Sequence, residues 1–336
     1  MLTGNPASSA AMSALGGSST DMNPDLLTAQ RILAGLVHGS EQSRMLVIWA
    51  VAVLKMPEGQ QIVIANNLGS GGYLPPTVYL PSSAKLAVND PTLPIGWAAD
   101  WWGCQFPSKI LVEYVDRIRK TVAGVRVSAL VTTELWVQPP TDWTGGDFVG
   151  MQHRDAMLLV SEAPKLDAAH QHRLATIDPA LAQRVQKLDD GHISLWAAGH
   201  ITVAVIKAAW GTPDKTGMRL VTDDDRDILQ AVNEGRASAD RWAEYEGAVV
   251  RRDKAANGAL TMPSMHAPQD NDGSAAAGNA IVFYRHYFQI GRMIDLVRCW
   301  KLTPAPHLAE LVYCGIMAGF GPVVAQTIAA IEQARR

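Results

Sequence analysis

The chain has little of what usually announces a chemistry. Cysteine is scarce: Cys104, Cys299 and Cys314 are the three in 336 residues. An odd, widely spaced set with no C-x-x-C pair is no disulfide framework, and reads as buried thiols in a reducing compartment. Charge is also scarce, at 18% of residues, with 29 Lys and Arg against 32 Asp and Glu. That near-balance, without a basic run, removes the electrostatic basis for binding nucleic acid or an acidic membrane surface. The N-terminus has no charged segment followed by an apolar one, so no general secretory signal is expected. Two stretches, 193–210 and 308–331, are long and apolar. His200 and Lys207 interrupt the first, and Glu310, Gly319, Gly321 and Pro322 the second. Both are expected to be helices buried on most faces of a core, with no membrane span.

Catalytic motifs are missing as well. Gly69-Ser70-Gly71-Gly72 follows a predicted strand, but Tyr-Leu-Pro-Pro comes next instead of a helix with Lys-Ser/Thr, so no phosphate cradle forms. His153-Arg154-Asp155 matches the kinase catalytic tripeptide, yet Val160 stands where the metal-binding Asn belongs. His170 and His172, or His192 and His200 with Asp189 and Asp190, lack the convergent spacing of a metal site. Asp223, Asp224 and Asp225 follow Thr222 and suit a helix start, where acids meet the positive end of the dipole. No serine sits in a G-x-S-x-G elbow. The expectation is a chain without enzymatic activity, cofactor or metal.

What is present is a core-forming pattern: 48% of residues are apolar, enough for two ordinary units. Residues 1–22 are Ala, Ser, Gly and Met with almost no charge, a composition expected to stay a flexible tail. Asn23-Pro24-Asp25 gives a cap, a first-turn proline and an acid, opening a helix that stops near Gly39. Apolar 45–54, turn residues Pro57-Glu58-Gly59 and β-branched 61–65 predict a hairpin whose first strand is covered on both faces and central in its sheet. A short strand at 85–88, a helix from Ser108 and an alternating strand at 125–131 complete an α+β unit over 23–143. Pro139-Pro140 and Thr144-Gly145-Gly146 mark its end. Everything in 144–336 reads helical, with segments near 192–210, 222–235, 238–253, 279–301, 305–318 and 323–335. A low-complexity insert at 255–278 is expected to be mobile. The fold class predicted is therefore α+β: a small mixed domain with a hairpin-containing sheet, then an all-α domain.

One region suggests contact with another protein. Prolines 75 and 76 keep their segment extended at a sheet edge, and glycines 69–72 loosen the loop before it. Tyr73, Tyr79, Trp97, Trp101 and Trp102 offer large apolar area with few torsions to freeze, which suits a hot spot. The same residues also suit packing over the hairpin, with two of the three indoles in the core. In 283–288, Arg285 and His286 are expected to stay free for contacts.

The run MLVIWAVAV from Met45, then Pro57-Glu58-Gly59, then GYLPPTVYLP from Gly72, then Trp101-Trp102-Gly103, resembles the C-terminal region of EspK, a family associated with actinobacterial type VII (Esx) secretion. The likeness is best over 44–120 and looser over 150–336. It implies an adaptor- or chaperone-like protein in the cytoplasm, or exported through type VII secretion. Its partners would be a secreted substrate and the secretion ATPase, and it transfers no catalytic residue. The family's N-terminal helical region and proline-rich middle have no counterpart in this sequence, as in a shorter member or a piece of a longer protein. Two rivals stand beside this reading: an enzyme of unrecognised type with a site between the two parts, and a structural module that holds an oligomer together.

Overall fold

The computed structural model describes residues 23–335, apart from 44, 136, 213–215, 262–272 and 302–306. The tail expected at 1–22 and the middle of the expected insert lie outside the described residues. Helix α1 (Pro24–Gln42) starts where the Asn23 side chain accepts the Asp25 N–H. Strands β1 (Trp49–Met56) and β2 (Gly59–Asn66) form an antiparallel hairpin with Met56 paired to Gly59. Strand β3 (Leu80–Pro81) and β4 (Ala84–Leu86) follow, then α2 (Pro107–Thr121), β5 (Arg126–Thr132) and β6 (Asp147–Gly150).

The main sheet runs β4-β2-β1-β5-β6, so β1 is its middle strand. It is mixed: β2 pairs with β4, and β5 with β6, in parallel. Side chains alternate across β1 as the pleat requires. Trp49, Val51 and Val53 enter one core, and Ala50, Ala52 and Leu54 the other. The second core is closed by α2 through Ile110, Leu111, Tyr114, Val115 and Ile118. The first is closed by α1 and then runs on without a break through the rest of the chain to Ile331.

The remaining elements are α3 (His153–Leu159), β7 (His170–Gln171), α4 (Pro179–Gln186), α5 (Gly191–Trp210), α6 (Asp223–Asn233), α7 (Ala239–Thr261), α8 (Ala275–Arg298), α9 (Leu308–Gly315) and α10 (Gly321–Ala334). The fold is α+β, as expected, with three departures in detail. First, β6 lies past the Pro- and Gly-rich stretch at 139–146, yet joins the sheet beside β5, and β7 pairs with β3. Residues beyond 144 are thus not all helical. Second, 255–261 belong to α7 and 275–278 to α8; buried Ala256, Ala259, Leu260 and Ala277 supply the apolar contacts that composition hides. Third, α5 and the α9–α10 pair are by length and composition apolar enough to cross a membrane, and 39% and 44% of the residues in their most apolar stretches are buried, less than expected. Between α9 and α10 the backbone kinks at Gly319, whose φ of +93° suits glycine.

Candidate functional site

The two halves of the chain are interlocked by the loop after β2. Gly69 N–H donates to the Tyr284 hydroxyl at 3.1 Å, and Leu74 N–H to the Tyr313 hydroxyl at 2.8 Å. The glycines expected to loosen this loop serve close packing instead. Gly71 has φ +95°, and a Cβ there would meet Ile110 Cδ1 at 2.6 Å. Tyr73 is only 2% exposed. Its ring lies 4.1 Å from the Arg292 guanidinium carbon and 5.4 Å, edge-on, from Phe288. The Arg173 guanidinium sits 4.1 Å from the Tyr313 ring. Burial pushes the Tyr73 hydroxyl up to about 12, against the pull of Arg292 and Arg173. Tyr73 therefore has no surface to offer a partner, contrary to expectation.

Beside this stack lies a cavity of about 400 Å³, walled by Tyr79 from the early chain and by His172, Arg173, Cys299, Glu310 and Cys314 from the later chain. Arg173, 2% exposed, donates from Nε to Glu310 Oε2 at 2.9 Å and from Nη1 to the Leu74 carbonyl at 2.7 Å; its Nη2 also contacts Glu310. His172 Nδ1 accepts the Leu174 N–H at 3.1 Å, so its Nε2 carries the proton and donates to Glu310 Oε1 at 2.8 Å. Burial alone would raise the Glu310 carboxyl. The bonds from His172 and Arg173, with the Arg173 charge, outweigh it and hold the group at about 2.

The other expected contact residues do not share one surface. Trp97, 4% exposed, packs against Trp101 at 5.7 Å and Tyr114 at 6.4 Å in the core behind α2. Trp101 is half-buried with it. Trp102 lines a second cavity of about 220 Å³, with Phe288 and the exposed Arg285. Arg285 stacks on Trp102 at 5.3 Å. His286, expected to be free, is buried and bonded to the Met218 carbonyl at 2.8 Å.

The sites set aside from sequence also have structural partners. His153 meets Glu41 at 3.1 Å, His170 meets Asp167 at 2.9 Å, and His200 packs on Trp196. Asp225 does cap α6. It is also buried, taking bonds from Arg252 at 2.7 Å and Tyr245 at 2.8 Å, a network that sequence reasoning missed. Among the described residues, no group of three His, Cys, Asp or Glu is placed to hold a metal.

The feature sequence reasoning missed most is on α5. Leu195, Trp196, Val203 and Trp210 are 45%, 43%, 68% and 41% exposed. Trp196, Val203 and Trp210 recur every seven residues and so form one stripe along the helix. His192, His200 and Lys207 are exposed on the same helix. Arg226 and Arg219 lie 4.6 and 5.9 Å from the Trp210 ring. The spacing of seven was the signal that could have found it.

Fold and site together define an α+β chain built around a mixed five-stranded sheet, with internally paired charges and an apolar stripe left open. The chain belongs to the EspK C-terminal domain family, whose family model matches residues 38–293. That membership associates it with type VII secretion. It is also similar to a solved fragment of the conserved hypothetical protein Rv3899c (residues 184–410) from Mycobacterium tuberculosis. Identity is 12% and the TM-score 0.35, over 94% of this chain and 97% of that one. No curated protein matches the chain.

Proposed function

We propose that the chain is a non-enzymatic adaptor or chaperone-like protein of type VII secretion. In this reading it acts in the cytoplasm and holds a secreted protein, with the secretion ATPase as a further partner. The observation that carries the reading is the exposed stripe of α5. Two tryptophans, a leucine and a valine on one helix face make the kind of surface that partners bury. Lys207, Arg219 and Arg226 edge its C-terminal end, and α5 itself carries no acid. The fitting occupant is an amphipathic helix with an apolar face and an acidic flank. Catalysis in the larger cavity has less support, because Arg173, His172 and Glu310 already bond to one another.

The test measures affinity of the purified full-length chain for type VII secreted proteins by calorimetry. Val203→Glu is expected to weaken binding at least about tenfold, since a charge at a buried interface centre is costly, with unchanged melting. Trp102→Ala is expected to bind as the wild type does. Loss of affinity in Trp102→Ala with none in Val203→Glu would move the interface to the second cavity. A dimer abolished by Val203→Glu, with no secreted protein bound, would make the stripe an oligomer contact and sink the adaptor reading.

A further inference from the structure

Two of the three thiols meet in the wall of the larger cavity. Cys299 stands at the C-cap of α8 and Cys314 lies in α9, which packs on α8. Both are buried, no disulfide links them, and both face the same opening of about 400 Å³. The neighbouring Cys314, together with burial, holds the Cys299 proton well above the ordinary thiol range. A disulfide requires the two sulfurs to meet at ~2.05 Å. Arg173 breaks the symmetry of the pair. Its Nη2 donates to Cys314 Sγ at 3.8 Å, which places a fixed positive charge at that sulfur.

We propose that Cys299 and Cys314 form a reversible disulfide site, opened to small disulfides through the cavity, with Cys314 as the attacking sulfur and Cys299 as the resolving one. Cys314 attacks a low-molecular-weight disulfide RSSR, forming Cys314–S–S–R and releasing one RSH. Cys299 then attacks the Cys314 sulfur of that mixed disulfide and releases the second RSH. Two cysteine thiols are oxidised, one RSSR is reduced to two RSH, and the two thiol protons leave with them. The product ties the end of α8 to α9 and removes the thiol that contacts Arg173. The proposal is independent of the α5 stripe, since no residue of that stripe lines the cavity.

The experiment treats the folded full-length protein, in a Cys104→Ser background, with oxidised glutathione. Thiols are then counted and peptides mapped by mass spectrometry. The expected result is loss of both remaining thiols, one cross-linked peptide pair joining Cys299 to Cys314, no retained glutathione, and return of both thiols with reductant. The melting temperature should rise in the oxidised form. With Cys299→Ser added, the reaction should stop as a glutathione adduct on Cys314. Thiols that both persist in the folded protein but pair once it is unfolded would overturn the site. An adduct on Cys299 that is never displaced would overturn it too. An adduct on Cys299 in the Cys314→Ser form, with none on Cys314 in the Cys299→Ser form, would overturn the assigned roles.

Discussion

Glu310→Gln tests whether the cavity wall is held by charge. The substitution keeps the shape of the side chain, removes its negative charge and replaces one of its two acceptor oxygens with a donor. Arg173 then remains buried with the Leu74 carbonyl and the Tyr313 ring as its main support. Breaking a buried pair by removing one partner costs about 3–5 kcal/mol. Linkage supplies a second route to the magnitude. The carboxyl is held at about 2 against an ordinary 4.5, which corresponds to on the order of 3 kcal/mol of stability at neutral pH. The sign follows from the depressed value: the stabilisation is complete above the unfolded carboxyl's range and is lost as pH falls toward 2. Urea unfolding near neutral pH should therefore show Glu310→Gln about 3 kcal/mol less stable than wild type. Near pH 3 the gap should narrow by about 2 kcal/mol, because wild type has by then lost most of what the variant never had. A variant within about 1 kcal/mol of wild type near neutral pH, with an unchanged acid limb, would refute the charge-held wall.

Two other substitutions probe the sheet side of the molecule. Tyr114→Phe removes a hydroxyl that donates to Asp90 at 2.6 Å and should cost about 1–3 kcal/mol in chemical denaturation. Burial would raise Asp90, but bonds from Lys85, Thr92 and Tyr114 hold it at about 2. Its stabilisation is therefore also lost as pH falls, and the variant should show a shallower acid limb; an identical limb would contradict this. Gly71→Ala combines a left-handed backbone with a clash against Ile110. It should lower stability by about 2–4 kcal/mol in thermal melts, and an unchanged melting temperature would mean that the loop is not pinned as described.

The sheet was legible because its signals are local. Alternation along 125–131, a continuous apolar run from Val47 to Leu54 and turn residues at 57–59 act over a few positions, and each produces the strand or turn it predicts. Strand β6 was hidden because its four residues are too few to show a period, and its place is decided by β5 alone. The loop at 69–74 was misjudged for a related reason. Glycine permits both looseness and close approach, and only the partners decide between them. Those partners, Tyr284 and Tyr313, lie more than two hundred residues away. A separation of 137 residues likewise conceals the Arg173–Glu310 pair: neither residue has a local pattern that marks it as buried.

The stripe on α5 escaped notice for a different reason, and the reason bears on function. A sliding average of hydropathy treats every position of a helix alike, so 193–210 reads as apolar throughout and invites burial on most faces. Burial is not shared evenly. Ala197, Ala198, Ile201, Thr202, Val205 and Ala209 are buried, while Leu195, Trp196, Val203 and Trp210 are left open. The inner face is built of small and medium side chains, and the open face carries both of the helix's tryptophans. A helix whose surroundings closed over it on all sides would place such large rings inside, where burial of each is worth the most. Keeping them partly outside costs solubility and forgoes part of the stability that full burial would give the isolated chain. That arrangement fits the proposed contact with another molecule; Phe283 of α8, 43% exposed, shares it, whereas Tyr284, Phe288 and Tyr313 are turned inward.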